Sequence, residues 1–371
     1  MKKLNICLIT LKFPPDSQDG ESQVFRAYYD YLIKQGHNVK VLTGKWSVNL
    51  EEPNINQVNL IPKRFFWIPH FNIKIAKFLR KYGNEFDVIH GNGPKGTFPI
   101  ILSNQKRFIS TIHDLGRFET SFSRIPIEKT LIKYIAKKAT YITTVSEFVK
   151  KEFEHFIPKI SQNKIYNFYN GIDDKFKPYP VEAQHLKSKL NIKGPIIIYI
   201  GRIASYKGVD DIISAYKLAK AKISDLNLVI GGRPDFFMEK LYQEWKRAYN
   251  DIKFVGFIPN DEIPIYYSMG DIFITYSYAS EGFGLTPIEA IACGTPVIAS
   301  SVPVYKEILK DNAILVTPKN PKKLAEQIVL LIKDEEKRRS MVEQAQKFIM
   351  RYSWDAVGGK LEKIYEKFLI G

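Results

Sequence analysis

Short runs of β-branched and aliphatic residues alternate along the chain with longer stretches whose apolar residues recur every three or four positions. The short runs predict strands over 4–10, 38–43, 86–90, 108–112 and 141–145, and again over 196–200, 227–230, 252–255, 271–276 and 296–300. Helical spacing marks 24–35, 127–138 and 354–369; in the last, Val357, Leu361, Ile364, Tyr365 and Phe368 share one face. Strand then helix, repeated, predicts an α/β protein with helices on both faces of a parallel sheet. Near-continuous apolar strands fit burial on both sides. The cycle pauses at Pro178-Tyr179-Pro180 and a polar stretch through Gly194, which reads as a linker, and then restarts. Two Rossmann-like domains follow, 1–180 and 181–354. Facing each other, they would hold a ligand in an inter-domain cleft beyond the carboxyl ends of their strands.

Composition narrows the class. The 371 residues are 45% hydrophobic and 25% charged, which excludes a wholly disordered chain. No apolar run approaches the length of about 18 residues needed for a transmembrane helix. The basic start Met1-Lys2-Lys3 precedes an apolar run too short for a signal core, so that run is expected to be a buried first strand. Cys7 and Cys293 have no metal-type spacing and form no disulfide framework; a reducing cytoplasm is the expected setting.

The net charge of +16 is uneven. Residues 1–180 carry 28 Lys/Arg against 16 Asp/Glu (+12), and 181–371 carry 27 against 23 (+4). A basic first half fits an anionic partner or a lysine-rich solvated surface. Lys63-Arg64-Phe65-Phe66-Trp67 and Phe71, followed by Lys74, Lys77, Arg80 and Lys81, allow two readings. One is an anionic membrane surface as partner; the other is a core packed under an ordinary basic face. No nucleic-acid-binding signature is found, so no nucleic acid partner is expected.

The most informative segment runs from Glu281 to Ser300. Gly282 and Gly284 allow a tight loop after the strand 271–276, and Pro287 and Gly294 bracket a helix over 285–293. Its first amides would favour an anion. Glu281 and Glu289 flank them; a carboxylate there can partner the helix dipole or accept two bonds from a vicinal diol. The strand 196–200 leads into Gly201-Arg202 and Lys207-Gly208, a guanidinium and an ammonium suited to a diphosphate. No G-x-G-x-x-G follows either first strand, which disfavours a dinucleotide cofactor. No Asp-x-Asp cluster near this loop offers a metal site, so neither cofactor nor metal is expected.

With these residues in order, the chain resembles the retaining glycosyltransferases of the GT-B fold, family 4 (glycosyl transferases group 1). The likeness spans nearly the whole chain: Phe13-Pro14-Pro15 through Gly20, Gly36-His37-Asn38-Val39, Thr111-Ile112-His113-Asp114, Val145-Ser146-Glu147, Asn170-Gly171-Ile172-Asp173, Gly201-Arg202 with Lys207-Gly208, the E-x7-E of Glu281 and Glu289, and Ser353-Trp354-Asp355. The resemblance implies transfer of a hexose from a UDP- or GDP-sugar to a glycan or lipid-linked glycan. It implies Arg202 and Lys207 at the phosphates, Glu289 on the ribose, and Glu281 with Gly282 and Phe283 near the donor sugar. It also implies His113 on the sugar from the first domain, and Gly20 and Gly201 near the donor. Amides of Gly284, Leu285 and Thr286 would add helix-terminus donors, and the helix 355–371 would return to the first domain. A catalytically inactive sugar-nucleotide-binding protein, or a sugar-nucleotide epimerase, shares this fold. Two departures stand out: a single glycine, Gly20, in the first loop, and Arg233 within Gly231-Gly232-Arg233-Pro234. Arg233 can meet the base or phosphate, or face solvent.

Overall fold

The computed structural model describes residues 2–16, 19–61, 66–115, 126–279 and 281–370, side chains of 126–128 excepted. The chain forms two compact units, Met1–Gly171 with Trp354–Gly371, and Ile172–Ser353. The first holds a seven-stranded sheet: β1 (Asn5–Ile9), β2 (Asn38–Lys45), β3 (Ile55–Asn59), β4 (Val88–Asn92), β5 (Ile109–Ile112), β6 (Tyr141–Thr144) and β7 (Ile165–Asn167). Their order is β3-β2-β1-β4-β5-β6-β7, parallel throughout. The second holds β8 (Ile196–Ile200), β9 (Asn227–Gly231), β10 (Ile252–Gly256), β11 (Ile272–Thr275), β12 (Val297–Ser300) and β13 (Ile314–Val316), ordered β10-β9-β8-β11-β12-β13 and also parallel.

Every expected strand is present, with ends displaced by a residue or two, as helix and strand ends usually are. Three strands escaped the pattern: β3, β7 and β13. Each lies at a sheet edge; β3, Ile-Asn-Gln-Val-Asn, is mostly half-buried and alternates poorly, and β7 and β13 are three residues long, too short to show a pattern. β8 and β11, central and fully buried, are the runs the sequence marks most clearly.

The expected domain boundary at 180/181 differs from the unit boundary at 171/172. Ile172 donates its amide to Tyr352 O at 2.7 Å and bridges to Ser353, which ties it to the second unit. The stretch expected to be a linker contains a helix, Pro180–Lys189, packed on the helix Ile263–Met269.

The terminal helix, Trp354–Ile370, packs within the first unit. Its face Val357, Leu361, Ile364, Tyr365 and Phe368 is buried. Trp354 stacks on Tyr31 with ring centroids 5.3 Å apart. Buried Glu362 accepts from the Tyr31 hydroxyl at 2.9 Å and from His37 Nε2 at 3.1 Å; His37 Nδ1 in turn accepts the Leu4 amide. No helix among the described residues is long and apolar enough to cross a membrane.

Candidate functional site

In both sheets the strand order reverses beside the first strand, between β1 and β4 and between β8 and β11. Loops leaving the carboxyl ends of such a pair diverge and open a crevice, the usual ligand position in open parallel sheets.

At the second reversal, β8 ends in Gly201-Arg202. A short 3-10 turn, Ser205–Lys207, then leads through Gly208 into the helix Val209–Lys220. Gly208 has φ +62°, and a Cβ there would lie 2.3 Å from Tyr276 O, so only glycine lets this loop press against the end of β11. Arg202 Nη2 donates to the Tyr206 hydroxyl at 2.6 Å, while Tyr199 donates to Arg202 O at 2.9 Å. The Tyr206 ring lies beside both cations, Arg202 and Lys207.

The loop after β11 carries Glu281. Its Oε1 receives Lys207 Nζ at 2.9 Å, the Tyr305 hydroxyl at 2.8 Å, and the Ser277 hydroxyl. Burial alone would raise this carboxyl, but the Lys207 ammonium and the two hydroxyls outweigh it and hold it below the ordinary value. Glu281 is therefore ionised and locked to Lys207. Gly284, at φ +81°, starts the helix Leu285–Ala292, and a Cβ on it would meet the Tyr305 ring at 2.5 Å. Among the described residues no side chain caps this helix start, so the amides of its first turn face the loop without a described side-chain acceptor. Phe283 is buried against Tyr352 and anchors the loop.

Glu289 lies one turn further along the same helix. Its Oε2 accepts from the buried Tyr267 hydroxyl at 3.1 Å. Burial pushes its carboxyl up to about 7, against the smaller lowering effects of Tyr267 and Lys175. The two glutamates are thus shifted in opposite directions. Arg233 is exposed, its guanidinium 4.5 Å from the Phe257 ring centre.

The remaining expected site residues, His113 and Gly20, lie in the first unit. His113 follows β5, and its Nε2 donates to Asn92 Oδ1 at 2.6 Å. Asn92 is oriented by donating to Thr10 Oγ1 at 2.9 Å and to Glu21 O at 3.1 Å. Burial pushes His113 down to about 4, so the ring is neutral at ordinary pH. Gly20 opens the helix Gly20–Lys34, and a Cβ there would meet nothing within 4 Å.

Asn92 also borders a cavity of about 260 Å³ at the β1/β4 reversal. Its wall includes Lys12, Asp19, Trp46, Trp67 and Lys95. The two tryptophan rings meet edge to face at 4.9 Å, and Trp46 Nε1 donates to Leu11 O at 3.1 Å. Trp46, Asn92 and Lys95, like Tyr267 and Tyr305 in the second unit, carry no sequence motif; Asp19 lies within the segment 13–20, Trp67 ends the basic-aromatic run, and Ser277 lies four residues before Glu281. Among the described residues, no three His, Cys, Asp or Glu side chains cluster as metal ligands.

Residues 19–176 match the model of Glycosyltransferase Family 4, and residues 181–348 that of Glycosyl transferases group 1. The chain belongs to this glycosyltransferase family. The glycosyltransferase is 28% identical to an uncharacterised glycosyltransferase of Methanocaldococcus jannaschii, over 98% of both chains. It is 23% identical to the N-acetyl-alpha-D-glucosaminyl L-malate synthase of Bacillus anthracis, over 90% of both. Among solved structures it is similar to sucrose-phosphate synthase of Thermosynechococcus elongatus, with a TM-score of 0.83 at 22% identity, covering 99% and 100% of the two chains. HepE of Anabaena, solved with UDP-glucose, gives 0.80 at 20% identity over 98% and 100%. These neighbours establish the glycosyltransferase's fold as GT-B, two Rossmann-like units with parallel sheets of seven and six strands.

Proposed function

We propose that this glycosyltransferase is a retaining, metal-independent hexosyltransferase that uses a nucleoside diphosphate sugar, with UDP or GDP as leaving group. The reading rests above all on one observation: an ammonium, a guanidinium and an uncapped helix start converge at the β8/β11 reversal. As the bond from the sugar anomeric carbon to the phosphate oxygen breaks, its electron pair passes to the diphosphate. Lys207, Arg202 and the amides of Gly284, Leu285 and Thr286 stabilise that growing charge. They supply the positive charge a divalent cation would otherwise bring, and chelation by EDTA should leave the rate unchanged. Gly201, at the end of β8, lets the loop approach the donor.

Glu281, ionised and held by three partners, is no proton donor. Its roles are to fix Lys207 and, beside Gly282 and Phe283, to offset positive charge developing on the sugar. Glu289 accepts the ribose diol. The acceptor hydroxyl bonds to the anomeric carbon on the face the diphosphate leaves, and its proton goes to the departing phosphate, which retains configuration. His113 contacts the sugar as a neutral ring, and Gly20 gives the first loop room near the donor. The acceptor is a glycan or lipid-linked glycan, and the enzyme works in the cytoplasm.

HepE was solved with UDP-glucose, which supports a nucleotide sugar as donor here. The test is a thermal-shift panel of UDP, GDP, ADP and their hexose conjugates, with Arg202→Ala alongside. A ligand of the native state raises the melting temperature by mass action. One nucleotide family should shift the native chain and fail to shift the variant; no shift with any of them overturns the donor site. NMR of the product's anomeric signal decides retention.

A further inference from the structure

The helix Trp67–Tyr82 presents an outer face with an unusual pairing of features. Phe71, Asn72, Ile75, Ala76 and Leu79 are buried on its inner side. On the outer side, Phe66 and Ile73 are 61% and 63% exposed. The apolar partners that would cover them are absent among the described residues, and Lys74 and Lys77 flank Ile73 on the same face. From residue 53 through residue 84 the sequence has no Asp or Glu, against six Lys/Arg. Of the four on the helix, Arg80 is engaged with Leu102 O at 2.7 Å and Lys81 lies over the Tyr82 ring. Lys74 and Lys77 form no ion pair among the described residues. Lys63, Arg64 and Phe65 lie outside the described residues.

We propose that the Phe66–Lys77 face of this helix docks on an anionic lipid bilayer, lysines on the headgroups and Phe66 and Ile73 in the acyl boundary. Two large exposed apolar side chains on a cationic segment that carries no acid match a bilayer interface, where both kinds of contact are met at one depth. A nucleic acid would satisfy the lysines and leave an exposed isoleucine without purpose. The first residue of the helix, Trp67, borders the cavity at the β1/β4 reversal. A head group anchored in that bilayer therefore needs to rise only past one helix end to enter. The proposal goes beyond the assigned chemistry and holds for any transferred sugar.

The test is sedimentation of the full chain with vesicles of phosphatidylcholine alone and with 30% phosphatidylglycerol. Binding is expected on the anionic vesicles only, weakening as salt rises. Lys74→Gln should lower the partition coefficient about 5-fold, and Lys74→Gln with Lys77→Gln about 25-fold. Phe66→Asn with Ile73→Asn should abolish the part that survives high salt. All four positions are exposed, so the thermal shift induced by the nucleotide that binds the native chain should be unchanged in these variants and reports that they are folded. Equal binding to neutral vesicles, no binding to either, or indifference to the lysines overturns the proposal. So does binding to single-stranded DNA that depends on the lysines and not on Phe66 or Ile73. Loss of the nucleotide shift in the native chain, with vesicle binding intact, would overturn the donor assignment and leave this inference standing.

Discussion

The two strand-order reversals are alike in topology and unlike in chemistry. At β1/β4 the crevice is lined by two tryptophans, an asparagine, the acids Asp19 and Glu21 and the lysines Lys12 and Lys95, with the neutral, buried His113 bonded behind Asn92. At β8/β11 they are an arginine, a lysine and two glutamates, one ionised and one pushed towards neutrality. Aromatic faces and neutral hydrogen-bonding groups suit a sugar ring. Paired cations with a helix start suit a diphosphate. One architecture, used twice in one chain, thus separates two recognition problems by the side chains on its loops. The contrast predicts that substitutions at the β8/β11 loops strike charge and rate, and those in the wall of the first unit's cavity strike acceptor binding.

The largest effect should come from Lys207→Ala. Given the proposed role of Lys207 at the leaving phosphate, its loss should lower kcat by about 100- to 1000-fold. It also strands the Glu281 carboxylate, buried apart from 15% of its side chain, at a cost of about 3 kcal/mol in stability. Adding Glu281→Gln should restore the stability, read by urea unfolding, and leave the rate low. A double variant with native-like turnover would show that the pair is only structural.

Gly284→Ala ranks next. The position has φ +81°, and a methyl group would press on the Tyr305 ring that holds Glu281. Strain and overpacking together should cost about 3 kcal/mol, visible as a lower urea midpoint and weaker nucleotide binding. An unchanged midpoint would mean the loop moves freely and does not hold its amides in place.

Glu289 gives a pH test. Its native carboxyl lies near 7, above the ordinary 4.5, so the folded chain binds this proton more tightly than the unfolded one. The stability it contributes is complete below about 4.5 and is lost as pH rises through 7. Native chain minus Glu289→Gln should therefore fall in stability by up to about 3 kcal/mol across that window, measured by melting at each pH. Glu281, held below its ordinary value, works in the opposite sense and is lost as pH falls, and the subtraction removes it. Diol hydroxyls favour the ionised form, so nucleotide affinity should rise with pH through 7 in the native chain and stay flat in the variant.

These experiments also mark where the sequence was legible. The central strands β8 and β11 announce themselves because burial on both faces demands unbroken apolar runs. Edge strands such as β3 do not, and the helix Pro180–Lys189 was hidden because, of its residues, Ala183 alone is buried. Glycines around Glu281 and the cations after β8 were readable as a pattern because one short loop carries each group. Tyr305, 24 residues from Glu281, and the pair Trp46 and Trp67 were not, since only the folded sheet brings them in.

Trp46→Ala tests the first unit's side of the comparison. Removing the ring from the cavity wall should raise the acceptor KM about tenfold and leave donor affinity untouched. A rise in donor KM instead would place the nucleotide, and not the acceptor, against that wall.

The smallest change in stability should come from Gly20→Ala. The residue opens a helix, its φ is not left-handed, and a methyl group there would touch no protein atom within 4 Å. The midpoint should stay within about 0.5 kcal/mol, with a slight gain from the stiffer unfolded chain. Space empty of protein around a first-loop glycine is space for a ligand, so turnover should fall although the fold does not weaken. Native turnover beside native stability would free Gly20 from any part in donor binding.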